Sequence, residues 1–449
     1  MRRIAVKQLD YDLTPVAGLA LVGHYLKALE PARRRLDAAL PVRAGVSSSD
    51  IVRSYLGLLV QGKSDFDAIE GFRGDAFFKQ ALGIALLPSS PTLRQRLDAR
   101  ASHMFEHVVP MIEALLASQR PDYGVLPCGW LPLDVDTFAM DNGGTAKEGI
   151  GRTYTGVDGY CPLVAYLGEH GFCLELALRP GTQHSAAETE FNVERIVPMA
   201  QRLSAAGPKA PLLLRMDAGF DSAKLMRAID ACNTPGLPQV DWLVKWNPRG
   251  ADAAAMAESL DAELWQTPRP GKRVALWEEE LRVPGIERPL RRVLRLVQRT
   301  IDRHGQQLLV PQFELEGWST SLPAQFGAPD IVALYAGHGT HEQFHAEFKS
   351  ELDLERLPSG KFDTNYLVCA LAALAMNILR LMGQRALLGP DAPIRHAAKR
   401  RRIKTVMQEL VYRAGRIVEH ARRFVLGLGA NDRAAAVFMR LHAQFAPTP

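Results

Sequence analysis

The sequence is poor in cysteine, has no long uninterrupted apolar run and contains no internal repeat. Five scattered cysteines in 449 residues exclude a disulfide framework and a CxxC zinc ribbon, and they suit a reducing cytoplasm. The most apolar stretch, residues 366–379, is too short to span a bilayer and contains Asn377, which predicts a buried helix and no membrane partner. The N-terminal segment lacks the basic start, apolar run and cleavage site of a secretion signal, so we expect a cytoplasmic protein.

Positive charge is concentrated in one part of the chain. The net charge is +5, yet residues 395–424 carry ten lysines and arginines against two glutamates, so the remaining chain sums to −3. Such a block is typical of proteins that bind a phosphate backbone, although a solvated helix face can have the same composition. Within it, Arg400, Arg401 and Arg402 are candidate DNA contacts.

Residues 1–125 predict a helical region, because apolar residues recur at helical spacing. Ser90 before Pro91 is a favourable N-cap and first-turn proline, and it opens a short predicted helix that carries Arg94 and Arg96. The two arginines are candidate DNA contacts if this region is a helix-turn-helix reader, whereas a plain helical bundle is the simpler interpretation.

Strands begin near residue 131. The predicted strands cover residues 131–140, 160–167, 172–178, 212–216 and 240–246, with helices starting near residues 187 and 221. A hairpin arrangement followed by alternating helix and strand predicts an α/β fold with a mixed sheet. Residues 248–322 then predict a separate antiparallel β unit, and the chain beyond about residue 329 predicts helices to its end. We therefore divide the chain into a helical DNA-binding region (1–125), a core (126–247), a β-rich insertion (248–325), the rest of the core (326–390) and a basic helical C-terminal region (391–449).

Acidic residues occupy special positions on the predicted strands. Asp134 and Asp136 share one face of the first strand, and Asp217 ends a continuous apolar strand. A carboxylate at the end of a buried strand is costly unless it is paired or binds a metal. Each aspartate taken alone is more often a helix cap or a turn residue.

Polar residues form a stripe on one predicted helix. Steps of three and four residues connect Tyr335, His338, Glu342, His345 and Lys349, which therefore share one face. Such side chains cannot be buried without partners, although a solvent-exposed face has the same pattern. Glu347 lies off this stripe, and we expect it on the surface.

Two strand aspartates and a helix glutamate are suitable ligands for Mg²⁺ or Mn²⁺, which prefer oxygen donors. Two such ions a few ångströms apart can activate an attacking water or 3′-hydroxyl and stabilise the leaving oxygen in displacement at phosphorus. In this interpretation Lys349 and His338 contact phosphates on the same side.

The sequence resembles the DDE transposases of bacterial insertion sequences, in the branch with an RNase H-like core and a β-rich insertion. That branch carries a helix signature of Tyr, Arg, Glu and Lys, and Tyr335, His338, Glu342 and Lys349 stand at its spacings. Its Asp-x-Asp-Ser/Thr motif matches residues 134–137, and its Arg-x-Asp-x-Gly-Phe motif matches residues 215–220. The choice of Asp136 over Asp134 as first carboxylate rests on Thr137 in this resemblance, and Asp134 stays the alternative.

The resemblance implies a function and its partners. Asp136, Asp217 and Glu342 would be the catalytic metal ligands of an enzyme that binds terminal inverted repeats, cleaves the element ends and joins their 3′-hydroxyls to target DNA. It also implies two Mg²⁺ or Mn²⁺ ions, double-stranded DNA as partner, a homodimer or higher oligomer in the synaptic complex, and a bacterial, nucleoid-associated protein. Trp318 is a candidate for stacking on a displaced base, although a core tryptophan is the commoner case.

Two other functions stay open. A histidine at position 338 in place of the family arginine is cationic only part of the time near neutral pH, which favours a decayed or domesticated transposase that only binds DNA. A stand-alone RNase H-like nuclease would need the carboxylates without specific end binding.

Overall fold

The computed structural model describes residues 4–8, 10–420 and 423–445. The N-terminal region is helical, as predicted. Its elements are β1 (Asp12–Thr14), α1 (Leu19–Ala28), α2 (Glu30–Ala39), α3 (Ser48–Leu59), a 3₁₀ helix (Phe66–Phe72), α4 (Ala76–Leu82) and α5 (Ser90–Gln119). The helix predicted to be short is α5, with 30 residues, and its N-cap is Ser89, whose hydroxyl accepts from the Thr92 amide, instead of Ser90.

The central part of the chain alternates between strands and helices. Its elements are β2 (Leu131–Thr137), β3 (Met140–Asp141), β4 (Gly151–Arg152), β5 (Asp158–Tyr160), β6 (Leu163–Leu167), β7 (Phe172–Ala177), α6 (Thr189–Ala206), β8 (Leu212–Met216), a 3₁₀ turn (Ala218–Phe220), α7 (Ala223–Ala231), β9 (Val240–Trp246), α8 (Ala253–Ser259), a 3₁₀ turn (Ala262–Leu264), β10 (Trp265–Arg269), β11 (Lys272–Leu281), β12 (Leu290–Ile301) and β13 (Gln307–Thr320).

The strands β7-β6-β2-β8-β9 form an RNase H-like core sheet in that spatial order. β2 pairs in parallel with β8, which pairs in parallel with β9. On the other side, β6 pairs antiparallel with β2, and β7 pairs antiparallel with β6. The inserted strands continue this sheet on the side of β9, because β13 pairs antiparallel with β9. The prediction of a separate β unit is therefore wrong in this respect: the outer strands β10–β13 share one nine-stranded sheet with the core.

The C-terminal part combines helices with a hairpin. Its elements are α9 (Ala328–Ala336), a 3₁₀ turn (Gly337–His341), α10 (Glu342–Ala346), a π-helical turn (Glu347–Glu351), α11 (Phe362–Ala386), α12 (Ile403–Val406), a π-helical turn (Met407–Val411), β14 (Gly415–His420), β15 (Arg423–Leu428) and α13 (Ala435–Ala443). β14 pairs with β15 and with β1 near the other end of the chain, so the predicted entirely helical C-terminal region is corrected to a mixed one.

A single apolar helix, α11, forms the centre of the core. It contacts α5 and β7, and most of its residues are buried. Among the described residues, it is the helix whose length and composition would suffice to cross a membrane, but its apolar window is almost fully covered by protein. The prediction of a buried helix here is confirmed, and Asn377 is satisfied by both backbone groups of Cys173 on β7.

Candidate active site

The two parallel strands at the middle of the sheet bring Asp136 and Asp217 together. β2 and β8 keep one register from Leu131 opposite Leu212 to Asp134 opposite Arg215. Two residues further along, the same register aligns Asp136 with Asp217, and neighbouring strands are only about 4.8 Å apart. Burial and the negative charge of Asp136 both raise the pKa of Asp217, as expected for adjacent carboxylates.

Asp217 is held by the turn that follows β8. Its Oδ1 accepts a hydrogen bond of 2.9 Å from the Gly219 amide, which caps the short 3₁₀ helix. A side chain at Gly219 would come within 3.1 Å of this same oxygen and of Ser185. The sequence Asp-Ala-Gly therefore leaves room around the carboxylate.

Asp134 has a different environment from Asp136, although the two share a strand. Its carboxylate accepts two hydrogen bonds of 2.7 Å from Arg215 and one of 2.8 Å from His338, and all three residues are buried. Burial alone would raise the pKa of Asp134, but Arg215 and His338 hold it well below its usual range. A carboxylate with three internal partners is not available to an ion, so the structure favours Asp136 as the first carboxylate. The pairing of Arg215 with Asp134 was not predicted from the sequence, although a buried arginine in an apolar strand requires an acidic partner.

Asp136 faces two histidines of the helical segment. His341 Nε2 lies 2.5 Å from Asp136 Oδ2, and His345 Nε2 lies 4.0 Å from the same oxygen. Burial acts to lower the pKa of His341, but the hydrogen bond to Asp136 and the charges of Asp136 and Asp134 together outweigh it, and the pKa is raised. Burial lowers the pKa of His345 to about 3. His341 was not among the predicted site residues, although its spacing of three from His338 and four from His345 places it on the same helix face.

Glu342 begins α10 next to His341 and is exposed. It shares its neighbourhood with the two aspartates, as Tyr154 shows. The ring of Tyr154 is largely exposed, but its hydroxyl donates to the Thr137 carbonyl at the end of β2. Burial of this hydroxyl end and the charges of Asp136, Asp217 and Glu342 together raise the pKa of Tyr154 to about 12. The charges of all three predicted carboxylates therefore act on the same tyrosine hydroxyl at the end of β2.

These residues fit a divalent cation. Asp217 is half-buried beside the charge of Asp136; burial and this charge both raise its pKa, and a bound cation would offset both. Carboxylate oxygens are the ligands that Mg²⁺ and Mn²⁺ prefer, and Glu342 is exposed enough to turn toward an ion. Asp136, Asp217 and Glu342 are the residues that could hold it.

The three residues of the helical stripe that were predicted to contact phosphate lie in different environments. Tyr335 is half-buried beside His338, and burial with the charges of Asp217 and Asp136 raises its pKa, so it borders the carboxylates. His338 is only 3% exposed and is bonded to Asp134, which corrects the prediction that it contacts phosphate. Lys349 is half-buried; its ammonium donates to the Ala139 carbonyl and pairs with Glu355 at 3.0 Å.

Two other expectations are wrong because the side chains are buried. Glu347, expected on the surface, is fully buried and pairs with Arg380 at 2.5 Å, while it also accepts from the Ile403 amide. Trp318, a candidate for base stacking, is 2% exposed in an apolar cluster beside Tyr335. Its ring has no free face for a base.

The predicted basic contacts divide into exposed and structural side chains. Arg94 is exposed, whereas Arg96 donates to the Val46 carbonyl and the Ser48 hydroxyl. Arg401 is 7% exposed and donates to three backbone carbonyls, so its expected role as a DNA contact is corrected to a structural one. Arg422 of the basic block lies outside the described residues.

The remaining basic side chains face the same helical segment as Glu342. Arg400 donates to Gln343 at 2.9 Å, and the exposed Arg402 pairs with Glu351. Both border a cleft of about 630 Å³ whose lining also includes Arg395 and Arg433. A basic cleft therefore adjoins the segment that carries Glu342.

The mixed sheet places two carboxylates at the carboxyl ends of adjacent central strands, and a helix carries a third carboxylate. This arrangement is an acidic centre of the kind that can bind divalent metal ions. The chain belongs to the DDE transposases: the family model described as transposase DDE domain group 1 matches residues 35–449. No curated protein matches the sequence. Among solved structures, the piggyBac transposase in a synaptic complex with hairpin DNA is similar at 12% identity over 98% of this chain and 83% of that chain, with a TM-score of 0.39. The family model confirms the predicted membership of the DDE transposases.

Proposed function

We propose that the protein is an insertion-sequence transposase that cleaves phosphodiester bonds at the element ends and joins the 3′-hydroxyls to target DNA. The observation that carries this proposal is the alignment of Asp136 with Asp217 at the ends of β2 and β8, together with a charge of Glu342 that acts on the same tyrosine as theirs. Two Mg²⁺ or Mn²⁺ ions, when bound, supply activation of the nucleophile and stabilisation of the leaving oxygen. The proposed setting is the bacterial cytoplasm, at the nucleoid.

The residues of this chain have separate parts in that reaction. Asp136, Asp217 and Glu342 hold the ions, and the internal bonds of Asp134 to Arg215 fix β2 against β8 so that the first two acids stay aligned. Exposed arginines of the cleft, such as Arg395 and Arg402, neutralise the phosphates of an incoming duplex. Because the cleft adjoins the segment of Glu342, a duplex held there reaches the acidic centre.

The experiment is cleavage of a labelled element end in Mg²⁺ by native protein and by Asp217→Asn. We expect the variant to lose at least about a hundredfold in cleavage rate, because it removes a charged ligand of the ions, and to retain binding in a gel-shift assay. Asp158→Asn is the matched control: Asp158 is an exposed aspartate paired only with the exposed Arg152, and we expect native cleavage. Cleavage by Asp217→Asn at the native rate would refute the site.

Two measurements separate the alternatives. A nuclease without end recognition would bind terminal inverted repeats and random duplex equally in the gel shift. A decayed transposase would bind the repeats but give no cleavage in Mg²⁺ or Mn²⁺. The feature that favoured decay, His338, has a structural partner in Asp134, which weakens that alternative.

A further inference from the structure

A second set of metal-ligating atoms shares Asp136 and adds two histidines to it. The ligand atoms of Asp136, His341 and His345 all lie within 4.8 Å of one another, and each of the three side chains is largely buried. His341 ends a 3₁₀ turn and His345 lies one helical turn later on α10, so both imidazoles project from one face. Around a zinc ion, donor atoms stand about 3.3 Å apart, so only small rotations separate this cluster from a closed site.

The orientation of His341 is that of a metal ligand. Its Nδ1 is bonded to the His338 carbonyl, so this nitrogen carries the proton and Nε2 is directed at Asp136. Metal-binding histidines commonly donate their other ring N–H to a carbonyl in this way, which fixes the tautomer and the ring plane. Without an ion, a proton must lie between Nε2 and the Asp136 carboxylate at 2.5 Å. A cation could take the place of that proton.

His345 supplies the independent observation. Its Nε2 is buried and has no hydrogen-bond partner, although it is directed toward Asp136 Oδ2 at 4.0 Å. The ring is 7% exposed and stacks on Phe138 with the centroids 4.5 Å apart, so it cannot turn to water. A buried polar atom without a partner is costly and calls for one that the protein atoms do not provide. A metal ion between the three side chains would satisfy it.

We propose that Asp136, His341 and His345 form a two-histidine, one-carboxylate site for a transition metal ion of the zinc and cobalt class. Imidazole nitrogens favour such ions over Mg²⁺, and three protein ligands leave a further position open. The site is distinct from the oxygen set of Asp136, Asp217 and Glu342, and it competes with that set for Asp136. The competition rests on the proposed function, in which Asp136 holds the catalytic ion; the binding itself does not.

Cobalt titration of the full-length protein without DNA tests this site. We expect one Co²⁺ per chain with visible absorption bands, and at least a tenfold higher Kd for His345→Phe, which keeps a ring against Phe138 but removes a ligand. His341→Gln should weaken binding similarly, whereas His304→Gln, at an exposed turn, should bind as the native chain does. Thermal unfolding without metal checks that each variant is folded.

The outcomes distinguish the two metal sets. If Asp217→Asn and Glu342→Gln weaken Co²⁺ binding while His345→Phe does not, the ion sits on the carboxylates and the inference is wrong. X-ray absorption at the cobalt edge of the native protein gives a result that needs no variant. Two imidazole ligands on the cobalt ion would support the site, and a cobalt ion without imidazole ligands would overturn it. Cleavage in Mg²⁺ is measured separately, so intact Co²⁺ binding without cleavage would refute the proposed function and leave this site standing.

Discussion

At the scale of single residues, the buried cluster of Asp134, Arg215 and His338 joins the two strands that carry the candidate metal ligands Asp136 and Asp217. Arg215 makes two hydrogen bonds of 2.7 Å to Asp134, and both side chains are at most 5% exposed. Removing one partner of such a pair leaves an uncompensated buried charge, so we expect Asp134→Asn to lower the free energy of unfolding by about 3 kcal/mol or more. Denaturant unfolding measures this loss of stability.

The exposed pair of Asp158 and Arg152 is the control, and Asp158→Asn should change stability by less than about 1 kcal/mol. Equal stability of the two variants would contradict this account.

Glu175 on β7 gives a pH-dependent effect. It is 7% exposed, and burial raises its pKa despite its bonds to Arg195 and Asn192. A raised pKa means that the folded state binds the proton more tightly, so the contribution of Glu175 to stability is present below its ordinary pKa of about 4.3 and is lost as the pH rises through the folded value. We therefore expect Glu175→Gln to become progressively more stable relative to the native chain as the pH is raised through this window. Thermal unfolding of both proteins from pH 4 upward measures the difference. A difference that is flat with pH would refute the assignment.

At the scale of elements, the turn between β6 and β7 supports the helix that begins with Glu342. Gly171 has a φ of +68°, and a methyl group there would overlap the ring of Phe344 on α10. We expect Gly171→Ala to cost about 2–4 kcal/mol, from the left-handed backbone and from overpacking, and to lower cleavage by shifting Glu342. Gly236→Ala is the matched control, because Gly236 also has a positive φ, of +90°, but a methyl group there would have no atom within 4 Å. This variant should therefore lose only the stability that the left-handed backbone costs. The difference between the two variants in unfolding and in cleavage measures the support that the turn gives to α10. No difference would mean that the helix does not depend on this turn.

The strands of the sheet show which elements could be predicted from the sequence and which could not. The strands that carry Asp136 and Asp217 were predictable because their patterns are local: an alternating strand, and an apolar run that stops at an aspartate. The pairing of β13 with β9 was not predictable, because it depends on contacts between residues that are about seventy positions apart in the sequence. The hairpin of β14 and β15 was also missed, because its partner β1 lies near the other end of the chain and most residues of its strands are exposed or half-exposed.

At the scale of the whole molecule, the site depends on contacts that no single motif contains. Asp134 and Asp136 are equivalent in the sequence, and only Arg215 and His338, which are 81 and 204 positions from Asp134, separate their roles. Likewise Glu347 looked like a surface residue until Arg380 of α11 proved to be its buried partner. The family signature predicted a helical segment around Glu342, which the structure has, whereas the chemistry of its neighbours required the fold.

The distribution of charge over the molecule predicts how DNA binding responds to salt. The cleft beside Gln343 is lined by exposed arginines, and each phosphate that one of them neutralises contributes about 0.9 to the slope of log K against log salt concentration. We expect Arg395→Gln and Arg402→Gln each to weaken binding to any duplex and to reduce that slope by about one. Arg282→Gln is the control, because the Arg282 side chain is 84% exposed just after β11 and does not line the cleft, so this variant should leave the slope unchanged. Fluorescence anisotropy of a labelled duplex over a range of potassium chloride concentrations gives the slopes. If the control and the cleft variants reduced the slope equally, the duplex would be held by the overall charge of the protein and not by the cleft beside Glu342.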